Sequence, residues 1–599
     1  RSYNDFLTKQ AASTRSPAAY DSQRLDLLKQ LEGVFPTGEA GVGYTTTQFL
    51  NAMSDLAARP SDMPTRQVAL SRAEQVATRF RQAGEQLDEI QKGVNTDLRN
   101  EVAKVNDLAK RLGEVNDQIA AAHGIGHQPN DLLDEQDRLV SQLSDYLQLN
   151  TVPAADGSIS VFIAGGQQLV LGKQALQLQV KPDAYDPAQS AVGVAVSGQV
   201  LDLPPALLGT GSIAGLLLFQ NNDLDDAANM LGQLAVSISG TVNAQQAMGL
   251  DLGVPASPGA PIFAVGAPRA LPAASNGKDA QGNFLTSVSI TVADPTQLLA
   301  SDYTLDPDPN TADTYTLTRR SDGLARTLTV DPTTGAVTAP SGAIDGMTIT
   351  IGPPTPATTD SFLLQAVGRA TQSMRRVLDD PKGIAAASPV TAASASTNTG
   401  TASVASLTVV SPTVNPQNTA TISFTSSTGD YNWQLVDSTT NAVVANGTGT
   451  WTPGTPIALN GFELQLNGVP ANGDSFTVSK TQYPAVNNGN ALAMAAFRDK
   501  PLVGRTQSGG VVTGGVTLSE GYATAMADIG VRVQSATTAH DTSSHVAAAA
   551  EQQHAQLAGV NLDEEAAKLI QFQQSYQAAA KVLQVAQTLF DTLLDAAKR

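Results

Sequence analysis

The chain has 599 residues, long enough for several domains, and its 41% hydrophobic but 5% aromatic content means cores built from Leu, Val, Ile and Ala. A formal net charge of −19 argues against nucleic acid as a partner, since phosphate binding needs a cationic surface, and fits a protein that must stay soluble before assembling. The absence of cysteine excludes disulfide scaffolds, thiolate zinc sites and cysteine nucleophiles, and no apolar run approaches the roughly 18 residues of a membrane span.

No N-terminal signal peptide is visible, and the chain opens at Arg1 rather than Met, so it is expected to start inside a longer protein. Leu25, Leu27, Leu28 and Leu31 predict a helix over 20–33 that Gly33 stops, and Phe49, Leu50, Met53 and Leu56 predict another over 45–58. After Pro60 and Pro64, no proline interrupts 65–122, far beyond the roughly 11–12 residues of an average helix. Within it Leu98, Val105, Leu112 and Ile119 recur at seven-residue intervals, a heptad seam that predicts a partner helix along its length. The loop 124–129 turns the chain, and Asn130 and Asp131 are candidate caps for a returning helix over 131–147.

The period then changes to two. Ile159, Val161 and Ile163 alternate with small polar residues, Gly165 and Gly166 mark a hairpin turn, and Leu176, Leu178 and Val180 continue the alternation. Helix returns at about 212–250.

From 262 to 485 Thr, Ser, Pro, Gly and Asn dominate and an internal repeat emerges: Ile344-Asp-Gly-Met-Thr-Ile-Thr-Ile resembles Leu459-Asn-Gly-Phe-Glu-Leu-Gln-Leu. Each copy is followed by Asp-Ser-Phe, at Asp360 and at Asp474. Two related β-sandwich-like units, 262–387 and 388–485, are the reading. Residues 366–379 are expected to form a short helix between them, and 388–403 a Ser/Thr/Ala linker.

Beyond 486 the chain is helical again: a turn or two at 490–497, a Gly-rich loop at 504–515, then a long Ala-rich helix over 519–559 with Tyr522, Met526, Ile529, Val533 and Val546 on one side. In the last segment, 561–599, Leu562, Leu569, Tyr576, Leu583 and Phe590 keep a strict seven-residue period, with Phe572 and Leu593 three positions after Leu569 and Phe590. Asn561 and Glu564 suit a capping box, and Lys598 and Arg599 the negative end of the helix dipole. This seam is expected to be the assembly interface; the plainer alternative is that the helix docks on its own domain.

The fold class is therefore multidomain α plus β: a long, coiled-coil-like helical rod built from both chain ends, with inserted β-sandwich-like domains. Residues 1–261 give its first part, including a small β hairpin region near 158–200. Residues 486–558 give its returning part, and 559–599 form a polymerisation helix.

Catalytic chemistry is not expected. The five histidines, His123, His127, His540, His545 and His554, lack an acidic cluster to complete a metal set. Gly209-Thr-Gly-Ser-Ile-Ala-Gly has no GxGxxG spacing and no Walker lysine, and reads as a strand-to-helix turn. Acidic pairs such as Asp134/Glu135 and Asp225/Asp226 are expected on solvated helix faces. No cofactor, catalytic residue or metal site is assigned.

The stretch beginning Gly559-Val-Asn-Leu-Asp-Glu-Glu and continuing through Phe572-Gln-Gln-Ser-Tyr resembles the C-terminal signature of flagellar axial proteins, the rod, hook and hook-associated family. Tyr3-Asn-Asp-Phe-Leu, Phe49-Leu-Asn-Ala-Met-Ser-Asp-Leu-Ala, Pro129-Asn-Asp-Leu-Leu-Asp-Glu-Gln-Asp-Arg-Leu, Gly165-Gly-Gln-Gln-Leu-Val and Val242-Asn-Ala-Gln-Gln-Ala-Met-Gly-Leu resemble the same family. The resemblance implies type III export with an export chaperone, and a short self-associating ring between hook and filament, with hook protein and a neighbouring hook-associated protein or flagellin as partners. It also implies terminal helices lining an inner tube, and β units facing outward. A flagellin-like filament subunit and a surface adhesin built on the β repeats are the competing expectations.

Overall fold

A computed structural model describes residues 5–124, 129–196, 198–311, 313–331, 333–338, 344–352, 360–508, 511–558 and 562–597. The helices begin with α1 (Asp5–Glu32), α2 (Val42–Ala58), α3 (Met63–Gly124) and α4 (Asn130–Tyr146). Two short helices, α5 (Pro205–Leu208) and α6 (Ser212–Leu218), lead through a π-turn (Phe219–Leu224) into α7 (Asp225–Met248). The chain returns through α8 (Gly489–Ala495), α9 (Leu518–Ala558) and α10 (Leu562–Ala597).

The two ends of the chain meet in one rod. Helix α1 runs antiparallel to α9: Thr8 Oγ1 lies 3.2 Å from His554 Nε2 near one end, while Phe35 stacks on Tyr522 near the other, with centroids 6.3 Å apart. Helix α1 starts well before the expected residue 20, and Pro17 lies inside it. Residues 5–19 have few large apolar groups to announce a helix; close packing of small residues serves instead, as at buried Ser16, whose Oγ is 2.8 Å from Thr210 Oγ1. On α9, Tyr522 and Ile529 are buried as the pattern requires, but Val546 is exposed, and Ala536 and Ala550 take the buried positions.

Helix α3 is continuous over the whole predicted span. Leu98, Val105, Leu112 and Ile119 are all buried. Their partner is only partly a helix, however: α4 and α6 cover portions of α3, and strands of a small β region cover others. That region holds a four-stranded sheet of β1 (Leu149–Pro153), β2 (Ile159–Ile163), β3 (Gln168–Leu171) and β4 (Gln174–Ala175), and a three-stranded sheet of β5 (Gln177–Pro182), β6 (Ser190–Val196) and β7 (Gln199–Asp202). Two asparagines on α3 fasten the strands: Asn106 Nδ2 donates to Leu178 O at 2.9 Å, and Asn116 Nδ2 donates to Ile159 O and Gly172 O, each at 2.8 Å. A heptad seam reports an apolar stripe, and a sheet face covers such a stripe as well as a helix does.

Helix α4 is not capped as expected. Pro129 occupies the N-cap position and no side chain caps the helix. Most of the 124–129 loop, with His127, lies outside the described residues, as do Asn561, Lys598 and Arg599. The segment at 209–211 connects helix to helix rather than strand to helix, with Gly209 (φ 71°) and Gly211 (φ 110°) both in conformations that favour glycine.

The two β units share one topology. The first comprises β8 (Phe263–Ala264), β9 (Arg269–Pro272), β10 (Val288–Val292), β11 (Asp302–Pro307), β12 (Thr314–Arg319), β13 (Ala325–Val330), β14 (Val337–Thr338), β15 (Met347–Ile351), β16 (Phe362–Gln365) and β17 (Arg375–Arg376). Its main sheet has the order β14-β13-β12-β11-β16-β9, facing a β10-β15 pair. The second comprises β18 (Val390–Ser394), β19 (Ser403–Val409), β20 (Asn418–Phe424), β21 (Asp430–Asp437), β22 (Val443–Thr450), β23 (Ile457–Leu459), β24 (Phe462–Asn467) and β25 (Ser475–Lys480). Its sheets run β22-β21-β20-β25-β18 and β19-β24-β23, the same order except that β23 joins the smaller sheet, whereas its counterpart β14 extends the larger sheet of the first unit. A small hairpin, β26 (Thr506–Ser508) and β27 (Val511–Thr513), lies before α9.

Even the repeated sequence motifs do the same work. Asn276 makes a two-way clamp on Ser361, donating to its carbonyl at 2.9 Å and accepting from its N–H at 2.9 Å. Asn398 does this to Ser475, at 3.0 and 2.8 Å. Asp345 and Asn460, at the matching hairpins, both have φ of 46° and both precede a positive-φ glycine, as such a tight turn requires.

Two expectations fail here. Residues 366–374 form turns rather than a helix, because they are pressed into the rod: Gly232 on α7 sits where a Cβ would meet Val367 O at 2.0 Å. Residues 390–394, expected as linker, form β18 and pair with β25, a role that needs main-chain hydrogen bonds more than hydrophobic side chains. The β units also differ in attachment: the apolar core of the first is continuous with that of the rod, whereas the second has its own core around Phe424, Phe462, Leu464 and Phe476.

Candidate assembly interface

Helix α10 forms because Ala, Leu and Gln dominate it and no proline or glycine interrupts it. Along it Leu569 is 61%, Phe572 74%, Tyr576 79%, Leu583 67%, Phe590 66% and Leu593 68% exposed. The side chain of Leu562 lies outside the described residues. From residue 566 onward every described side chain of this helix is exposed, so the helix does not dock on the chain's own domains. A stripe of large apolar groups turned to solvent over the length of a helix is the pattern of an interface awaiting a second helix.

The rod that carries it is pinned by an ionic node that no periodicity announces. Asp223, in the π-turn before α7, has a side chain only 1% exposed. Arg24 of α1 grips it at two points, Nε to Oδ2 at 2.8 Å and Nη2 to Oδ1 at 3.0 Å. Arg532 of α9 reaches the same carboxylate at 3.1 Å, and also Asp226 and Asp528, each at 2.8 Å. The carboxylate hydrogen bonds outweigh the cost of burial for Arg24, so its pKa is raised. The sequence signal that was available is thin: an acidic residue within an otherwise apolar helical stretch.

A second node joins the rod to the turn between the β units. Arg66, at the start of α3, is 1% exposed and donates to three backbone carbonyls, Pro60 O at 2.6 Å, Pro381 O at 3.1 Å and Ile384 O at 2.7 Å. With no carboxylate in contact, burial dominates and lowers its pKa to about 10.

The acidic pairs behave differently from expectation. Glu135 is ion-paired with Arg111 at 3.0 Å, and Asp226 with Arg532. Asp225 is not on a solvated face. It turns toward the first β unit, where burial, and then the nearby charge of Asp302, raises its pKa. Burial likewise raises that of Asp302. Among the described residues, no group of three His, Cys, Asp or Glu side chains is placed to hold a metal, and no helix is long and apolar enough to cross a membrane.

An exposed, heptad-patterned terminal helix on a rod closed by both ends of the chain defines a structural protein of the flagellar axial class, and comparison with known proteins narrows it. The family described as the FlgK helical domain of flagellar hook-associated protein matches residues 28–263, the D2-like domain of flagellar hook-associated protein 1 matches 274–366, and the flagellar basal body rod FlgEFG protein C-terminal family matches 551–596. Flagellar hook-associated protein 1 of Salmonella typhimurium (strain LT2) is 27% identical over 598 residues, covering 99% of this chain and 88% of the relative. The Escherichia coli K12 protein of that name is 27% identical over 599 residues, with coverage of 99% and 88%. The solved structure of the flagellar hook junction protein FlgK from Burkholderia pseudomallei superposes with a TM-score of 0.76 at 28% identity, covering 91% of this chain and 99% of that one. The chain belongs to the flagellar hook-associated protein 1 family. These matches favour neither a filament subunit nor an adhesin.

Proposed function

We propose that the protein is a non-enzymatic adaptor subunit of the bacterial flagellum, exported and assembled as a short ring at the hook–filament junction. Hook protein would contact one side, and a neighbouring hook-associated protein or flagellin the other. The observation that carries this reading is the exposed seam of α10. Burying a Leu or aromatic side chain is worth about 1.5–3 kcal/mol, so the six described seam residues represent on the order of 10 kcal/mol before the costs of association. That free energy is realised only when another helix covers them. The same exposure makes the unassembled chain prone to aggregation, which gives an export chaperone a reason to cover α10 until delivery.

The test adds the full-length protein to purified hooks and locates it by immunogold electron microscopy. Label confined to the distal hook end, lost on deleting 562–597, is the expected outcome. Label along long fibres, or label undiminished by the deletion, would overturn the reading.

A further inference from the structure

A cavity of about 220 Å³ lies where α3 and α7 of the rod meet the first β unit and the loop before β6. One wall is balanced in charge: Arg369 reaches Asp88 at 3.4 Å and Asp186 at 3.3 Å, and Arg269 reaches Asp186 at 3.5 Å. The other wall is not. Asp225 from α7 and Asp302 from β11 both line it, and neither has an ion pair among the described residues. Asp225 Oδ1 accepts from Gln189 Nε2 at 2.7 Å, and Asp302 Oδ2 from Gln365 Nε2 at 3.3 Å.

Three oxygens lining the cavity have no hydrogen-bond partner: Asp302 Oδ1 and Asn229 Oδ1 on this wall, and Thr371 Oγ1 beside Gly84 of α3. Their residues are 4%, 3% and 1% exposed. Asn229 follows Asp225 by one helical turn, so both side chains project from one face of α7. A Cβ on Gly368 would stand 2.9 Å from Asn229 Oδ1 and 3.9 Å from Asp302 Oδ1, which places these two oxygens around a common point and explains why a glycine lies there.

We propose that this wall binds one hard divalent cation through the oxygens of Asp225, Asp302 and Asn229, with water completing the shell. Two carboxylates, Asp302 buried and Asp225 half-buried, supply the charge that a divalent ion neutralises, and buried oxygens without partners are costly unless a cation or donors satisfy them. The donor set is all oxygen, which suits calcium or magnesium and not zinc or copper. Arg320 influences both carboxylates but is exposed and makes no ion pair with either; Arg269, whose charge also reaches Asp302, is ion-paired with Asp186, and Lys92 and Arg369 line the same cavity. Only two acidic ligands are present, so water must fill several positions, as is common for magnesium and for weak calcium sites. The ligands come from both the rod and the β unit, so a bound ion would fasten one to the other.

The test is calorimetric titration of the full chain, freed of metal by chelator, with calcium and with magnesium at neutral pH. Expected are one ion per chain and a saturable rise in unfolding temperature with either ion. Asp302→Asn and Asn229→Ala should each weaken binding by at least about tenfold, with the circular dichroism spectrum unchanged. Asn229→Ala keeps both carboxylates and so tests ligation apart from charge; it also carries the test should Asp302→Asn fail to fold. Absence of binding at millimolar ion, or binding undiminished in Asn229→Ala, would overturn the proposal. So would a joint whose stability follows pH alone, because the occupant would then be a proton.

Discussion

Arg24 and Asp223 form a two-point ion pair, Nε to Oδ2 at 2.8 Å and Nη2 to Oδ1 at 3.0 Å, deep between the first helix and the π-turn in the middle of the rod. Arg532 holds the same carboxylate from the returning helix. Three segments remote in sequence are thus registered on one side chain. Removing Asp223 strands the partly buried Arg24 guanidinium, while Arg532 keeps Asp226 and Asp528, and breaking such a buried pair costs about 3–5 kcal/mol. Asp223→Ala should lower the urea midpoint of the rod's unfolding transition accordingly, whereas Asp528→Ala, which removes a more exposed partner, should cost under about 1 kcal/mol.

Arg66 acts through geometry as much as charge. Its guanidinium satisfies three backbone carbonyls in a fork that a lysine cannot reproduce. Arg66→Lys is expected to destabilise by about 1–3 kcal/mol, the cost of leaving buried acceptors unmet. Thermal unfolding of the purified variant measures it; an unchanged midpoint would show that water replaces the fork.

The seam of α10 should separate stability from assembly. Phe572 and Leu583 are largely exposed, so Phe572→Asp and Leu583→Asp should leave the unfolding temperature of the isolated chain within about 1–2 °C of the parent. Both should abolish incorporation at hook ends, scored by gold label. A variant that assembles normally would dissociate the seam from the interface.

Asp225 and Asp302 set an unusual pH dependence. Their folded-state pKa values are raised by burial, so below neutrality the folded chain holds protons that the unfolded chain has released. Stability then falls as pH rises from about 5 to about 8, the reverse of a salt-bridged carboxylate. In chelator, Asp225→Asn should flatten this slope and stabilise the protein at the alkaline end. Denaturant titrations across that range provide the measurement, and a parent curve that rises with pH would contradict the assignment.

The duplicated asparagine clamps invite a paired comparison. Asn276→Ala and Asn398→Ala each remove two hydrogen bonds to the backbone of a Ser that follows a buried Asp. Each should cost about 1–3 kcal/mol. The second should act on a separate transition, because the second β unit has its own core. A single shared transition in calorimetry would show instead that the two cores unfold together.

Much of this architecture was legible in the sequence because long helices and repeated strands advertise themselves. The span of α3, the hairpin at Gly165 and Gly166, the repeated Asp-Ser-Phe and the period of α10 are all local patterns. What escaped depends on contacts between distant segments. Pattern alone cannot say that strands cover part of the Leu98–Ile119 stripe, that 366–374 is flattened against Gly232, or that residues 390–394 pair as a strand. The acidic pair at Asp225/Asp226 illustrates the limit most sharply. The two residues are adjacent and chemically identical, yet one is ion-paired with Arg532 and the other lines a cavity with Asp302.

The antiparallel pairing of α1 with α9 also bears on the order in which the molecule comes together. Thr8 and His554 are 546 positions apart, so α1 waits for its partner until nearly the whole chain is available. Closing so large a loop carries an entropic cost and ranks among the slowest steps open to a chain of this size. The hairpins and the α3–α4 pair, which need only neighbours, can form well before it. A nascent or threaded chain therefore spends its passage with the rod unclosed, and completes it only when the last helices arrive.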